Sequence, residues 1–123
     1  ATLALGNHIG PAYLRFGRPS WPVFTAAARP FTIGKADRMI EGKDVTIFAC
    51  GHLVWSAIEA EAALAEKGIS AEVINVHTIK PLDVEAILES VNKTRCVVTA
   101  EEHQINGGLG DAVAQVLARF RPT

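Results

Sequence analysis

An excess of charge of either sign is the first thing this 123-residue chain lacks: it carries 12 Lys and Arg against 13 Asp and Glu, a formal net charge of −1. With no basic excess, nothing electrostatic points to nucleic acid or an anionic membrane as a partner. No apolar run approaches the roughly 20 residues that a bilayer-spanning helix needs. No signal peptide is visible at the start. Only two cysteines occur, Cys50 and Cys96, and both lie in apolar segments. They read as core thiols of a reducing, cytoplasmic compartment rather than as a disulfide framework. The four histidines, His8, His52, His77 and His103, are never paired at metal-ligand spacing, which argues against a zinc site. Internal repeats and low-complexity tracts are also missing. What remains is 49% hydrophobic and 20% charged, enough to bury one ordinary core.

The clearest stretch is Cys96–Asp111, CVVTAEEHQINGGLGD. A short apolar run of buried-strand size leads into Glu101, Glu102 and His103, then into the turn Gly107, Gly108 and Gly110. A helix to Phe120 follows, with Leu109, Val113, Val116, Leu117 and Phe120 on its apolar face. Upstream, Asp44–Ala49 and Ala71–Val76 read as further buried strands, and Leu53–Lys67 and Val84–Lys93 as helices. The first of these helices has Leu53, Ala57, Ala60 and Leu64 as its stripe, and the second buries Val84, Ile87, Leu88 and Val91. Gly68 stops the first of them and Asp83 caps the second. Ahead of this regular part, Thr2–His8 reads as a frayed helix end, Ala12–Phe16 as a strand and Pro19–Pro30 as a linker. Trp21 and Phe24 are expected to pin that linker down. Phe31–Ala36 reads as a short strand. Strand, helix, strand, helix, strand, helix predicts an α/β fold of three layers, α/β/α, with a mostly parallel sheet.

Function in such sheets sits at loops leaving the carboxyl ends of strands. There Glu101, Glu102 and His103 could serve as acid, base and orienting group, or simply be a solvated strand end whose two glutamates point apart. GGLG is not the dinucleotide fingerprint G-x-G-x-x-G. Gly107 and Gly108 are expected to supply positive φ, and Gly110 a close helix approach. Free amides at that helix start could also hold an anion. His52, His77 and His103 each follow a strand closely, so all three should share one sheet edge. Arg15 and Arg18 flank Gly17; a forked guanidinium suits either a surface ion pair or a phosphate.

Four segments come in the order and near spacing of one family: GPAYLRFGRP (residues 10–19), FTIGKADRMIEGKDVTIFACG (31–51), VINVHTIKPLD (73–83) and VVTAEEHQINGGLG (97–110). In these the chain resembles the transketolase-like thiamine diphosphate enzymes, most nearly the separate C-terminal subunit of split transketolases. Similar motifs occur in 1-deoxyxylulose-5-phosphate synthase and the β subunit of 2-oxo acid dehydrogenase E1. The resemblance implies that residues 1–28 are the end of a pyrimidine-binding domain with its linker. Residues 29–123 would then be the C-terminal domain, without the final strand and helix of many relatives. It implies a transferase moving a two-carbon ketol unit between phosphorylated sugars. Thiamine diphosphate and Mg²⁺ would be held by other domains or subunits, so that this chain alone is inactive and binds neither. It implies a homodimer through the C-terminal domain, a partner in the N-terminal subunit or upstream domains, and no catalytic residue or metal ligand here. Arg18 matches the arginine that binds substrate phosphate, and Glu101, Glu102, His103, Gly107 and Gly108 fall in an interface or active-site loop. A non-catalytic flavodoxin-like binding domain remains the alternative from another class.

Overall fold

Along Ile47, Phe48 and Ala49, and again along Val73 and Ile74, successive hydrophobic residues face opposite sides: Phe48 and Ile74 one way, Ile47, Ala49 and Val73 the other. In the computed structural model, which describes residues 1–122, they build two cores on the two faces of one sheet. In chain order the elements are α1 (Thr2–Gly6), β1 (Asp37–Ile40), β2 (Val45–Ala49), α2 (Leu53–Ala65), β3 (Ala71–Asn75), α3 (Val84–Thr94), β4 (Val97–Ala100) and α4 (Leu109–Phe120). The sheet runs β1-β3-β2-β4. β3, β2 and β4 are parallel, while β1 joins β3 antiparallel through a register shift between Arg38 and Ile40.

One face packs Phe48, Ile74 and Val76 against Ile87 of α3 and Leu109, Val113 and Val116 of α4. The other packs Ile47, Ala49, Ala71 and Val73 against Val54 and Ala57 of α2. That is the expected three-layer α/β/α arrangement. Gly42 permits close strand approach: a Cβ there would overlap the backbone of Ala71 and Glu72. Gly68 has φ +77 after α2, the left-handed stop its position implied. Asp83 accepts the Ala86 N–H at 3.3 Å as the cap of α3, and also the Ala36 N–H at 2.9 Å.

Several sequence expectations fail for physical reasons. Residues 11–17 form no strand and are exposed, because no neighbouring strand takes their backbone hydrogen bonds. Phe31–Ala36 is turn and coil, with Gly34 at φ +82; the strand comes later, at Asp37–Ile40. The Cys96–Ala100 run is an edge strand rather than a buried one: Val98 is 49% exposed and Cys96 is exposed. Cys50 is half-buried. The α2 stripe is centred on Val54, with Ala60 exposed, and Phe120 of α4 is half exposed.

Candidate functional site

The parallel strands β2, β3 and β4 end on one edge of the sheet, and each delivers a histidine there: His52, His77 and His103. The expected convergence holds at the level of the edge, but the three have different surroundings. His77 packs its ring 4.3 Å from that of Phe31, and its Nδ1 lies 2.9 Å from Thr78 Oγ1. Burial pushes its imidazole below the ordinary histidine pKa, and the Asp37 carboxylate offsets part of that. His103 is exposed and lines a surface cleft of about 410 Å³ with Thr99, Glu101, Ile105 and Asp111.

The two glutamates after β4 do point apart. Glu101 turns back onto α4: its Oε2 accepts the Leu109 N–H at 2.7 Å and its Oε1 the Gly110 N–H at 2.9 Å. Both oxygens are thus committed to the positive end of a helix, which removes Glu101 as an acid or base. Asp111 accepts the Gly107 N–H at 3.1 Å. The anion that those amides could have held is supplied by the chain's own carboxylates, so this turn is not an anion site. Gly107 does take a positive φ of +79, but Gly108 is extended at φ −92, contrary to expectation. Gly108 is required for space instead: a Cβ there would overlap the Glu101 carboxylate and the Gln104 carbonyl oxygen.

Glu102 goes the other way and is exposed. Its Oε2 lies 3.5 Å from His52 Nε2, and its backbone carbonyl accepts from Arg15 Nη1 at 3.3 Å. His52 in turn stacks on Trp21, with ring centroids 4.7 Å apart and planes 10° from parallel. A Cβ on Gly17 would sit 3.8 Å from His52 Nδ1. Arg18 therefore occupies a short arch, Gly17 to Trp21, whose Trp21 end rests on His52, and it is exposed to solvent. Phe24 continues the same anchoring, 6.4 Å from the Trp55 ring and packed on the α2-side core. The pinning of Trp21 and Phe24 was legible from the sequence. The role of His52 as the seat of Trp21 was not; its only signal was its place just after a strand.

These residues offer no seat for a diphosphate cofactor or its metal. The amides at the start of α4 are closed by Glu101 and Asp111. Among the described residues no three His, Cys, Asp or Glu side chains gather as a metal ligand set. No helix among them is long and apolar enough to cross a membrane.

Comparison with known proteins gives this geometry a context. A 6-deoxy-6-sulfo-D-fructose transketolase subunit of Clostridium sp. (strain MSTE9) is 48% identical over 94% of this chain and 36% of its own length. A 1-deoxy-D-xylulose-5-phosphate synthase of Geobacter sulfurreducens is 44% identical over 91% of this chain and 18% of its own. An apulose-4-phosphate transketolase subunit of Phocaeicola vulgatus is 42% identical over 88% and 35%. The chain thus spans about a third or less of these relatives. A solved split-gene transketolase, described as an inactive β4 tetramer, superposes with a TM-score of 0.84 at 43% identity, covering 86% of this chain and 35% of that one. Residues 34–122 match the family model of the transketolase C-terminal domain, and the chain belongs to that family.

Proposed function

We propose that this chain is the C-terminal part of a transketolase-type subunit whose assembled enzyme moves a two-carbon ketol unit between phosphorylated sugars. The observation that carries the reading is Arg18, an exposed guanidinium on an arch fixed to the carboxyl edge of the sheet. A planar fork of donors is matched to a tetrahedral dianion, and a phosphate at the far end of a sugar would be held by it at a fixed distance from the reacting carbons. Thiamine diphosphate, with Mg²⁺, supplies the carbanion chemistry in such enzymes. Since the described residues do not fit either, we assign both to upstream domains or a partner subunit, and this chain alone is inactive. Residues 1–28 are read as the end of the pyrimidine-binding domain, and residues 29–123 as the C-terminal domain. The large exposed side chains Tyr13, Phe16 and Val23 support this division, because they lack a core within this chain. The C-terminal domain forms a homodimer, with the loop from Glu102 and His103 to Gly107 at or near the interface. We place the chain in the cytoplasm, a reading that its two free cysteines support.

A sugar sulfonate, as in the name of the clostridial relative, would offer Arg18 the same oxygen fork and is the second reading of the anion. A 2-oxo acid substrate suits Arg18 poorly, since it brings no terminal dianion. The test is ketol transfer from a ketose phosphate to an aldose phosphate by the assembled enzyme. Turnover that needs thiamine diphosphate, Mg²⁺ and the partner is expected. Turnover by this chain alone, or a preference of the assembly for 2-oxo acids, would contradict the proposal.

A further inference from the structure

We infer that His52 is the positioning residue that sets Arg18 in place for its anion, an inference that rests on the phosphate-binding reading of Arg18. The arch Gly17–Trp21 carries Arg18 and makes no backbone ladder with the sheet. Its placement therefore rests on side-chain contact, above all the stack of Trp21 on the His52 imidazole. Trp21 lies flat on His52, with ring centroids 4.7 Å apart, and Gly17 passes near enough that an added Cβ would lie 3.8 Å from His52 Nδ1. The other ring nitrogen, Nε2, is held 3.5 Å from Glu102 Oε2. The backbone carbonyl of Glu102 also accepts from Arg15, two residues ahead of the arch, at 3.3 Å. His52 itself stands at the start of α2, three residues after the end of β2, so the seat is anchored to both elements. A guanidinium on an otherwise free loop would lose much of its advantage in ordering itself around each substrate; a preset arch removes that cost before binding.

On this inference His52 acts through the arch that carries Arg18, so its loss should appear in substrate affinity and not in the chemical step. In the assembled enzyme, His52→Ala and Trp21→Ala are each expected to raise KM for the phosphorylated acceptor about tenfold, with kcat held within about twofold. The double variant should be no worse than either single one, because both remove the same contact. His52→Phe, which keeps a flat ring for Trp21, should restore most of the lost affinity. Calorimetric titration of inorganic phosphate into the substrate-free enzyme should show Kd weakened by the same factor. Unchanged KM and Kd in both alanine variants would overturn the inference, and so would a loss of kcat at constant KM. If His52→Ala does not fold, Trp21→Ala decides alone, because Trp21 is 40% exposed and outside both cores. Arg18→Ala separates anion binding from positioning. If it raises KM while the His52 and Trp21 variants do not, only the positioning role fails. If Arg18→Ala leaves KM and phosphate Kd unchanged, the phosphate reading itself fails.

Discussion

Glu101 receives two amide hydrogens from the first turn of α4 and lies under Gly108, where there is room for no side chain. Its carboxylate neutralises the exposed donors and the partial positive charge of the helix start together. Glu101→Gln keeps the shape but turns one accepting oxygen into an NH₂ facing an N–H. A loss of about 1–2 kcal/mol is expected, read as a lower urea midpoint with an unchanged slope. His77 gives a second prediction at this scale. Its depressed pKa in the folded chain means that the unfolded chain takes up the proton first as the pH falls. Its contribution is whole above the ordinary histidine value, about pH 6.5, and is lost as the pH falls toward and through the folded value. Urea unfolding at about pH 7.5 and about pH 5.5 should show lower stability at the acid end, and His77→Gln should flatten the difference.

At the scale of elements, a polar cluster at the amino ends of the parallel strands reinforces the antiparallel pairing of β1 with β3. Glu72 of β3 is fully buried, yet Lys93 Nζ stands 2.6 Å from its Oε1 and Thr46 Oγ1 donates to its Oε2 at 2.9 Å. Arg38 Nε lies 2.8 Å from the same Oε1, an ion pair rather than an aligned hydrogen bond. Glu41 and Glu89 complete the ring around the two cations. The neighbouring carboxylates raise the pKa of Lys93 above the usual lysine value against the opposing effect of burial. Glu72→Ala leaves two cations facing a void and should cost about 3–5 kcal/mol in denaturant unfolding, far more than loss of an exposed pair such as Lys35–Glu85. This cluster also explains what the sequence concealed. The helices α3 and α4 and the strands β2 and β3 announce themselves through apolar period and caps, and the structure has them within a residue or two. β1, Asp-Arg-Met-Ile, has no such pattern, because its arginine reaches a buried carboxylate instead of apolar surface. β4 was legible as a strand but not as an edge, since edge or centre depends on which neighbours exist. Glu101 had the composition of a catalytic acid, and only its distance to two amides eight and nine residues on shows otherwise.

For the whole molecule, the division is between a well-packed domain from β1 onward and a leading segment with few contacts of its own. Leu3, Ile9, Tyr13, Phe16 and Val23 stand 74% to 97% exposed, whereas Trp21 and Phe24 are tied to the domain. Such a segment reads as surface belonging to a larger assembly, and it is where the proposed anion seat lies. Family membership rests on residues 34–122, whereas the proposed contribution of the chain to activity rests on Arg18 in the segment ahead of them. The most direct test is therefore steady-state kinetics of Arg18→Ala in the assembled enzyme, with matched phosphorylated and unphosphorylated acceptor sugars. A rise in KM of about tenfold or more for the phosphorylated sugar, with little change for the unphosphorylated one, is the expected result. Equal KM values for wild type and variant on the phosphorylated sugar would contradict the account.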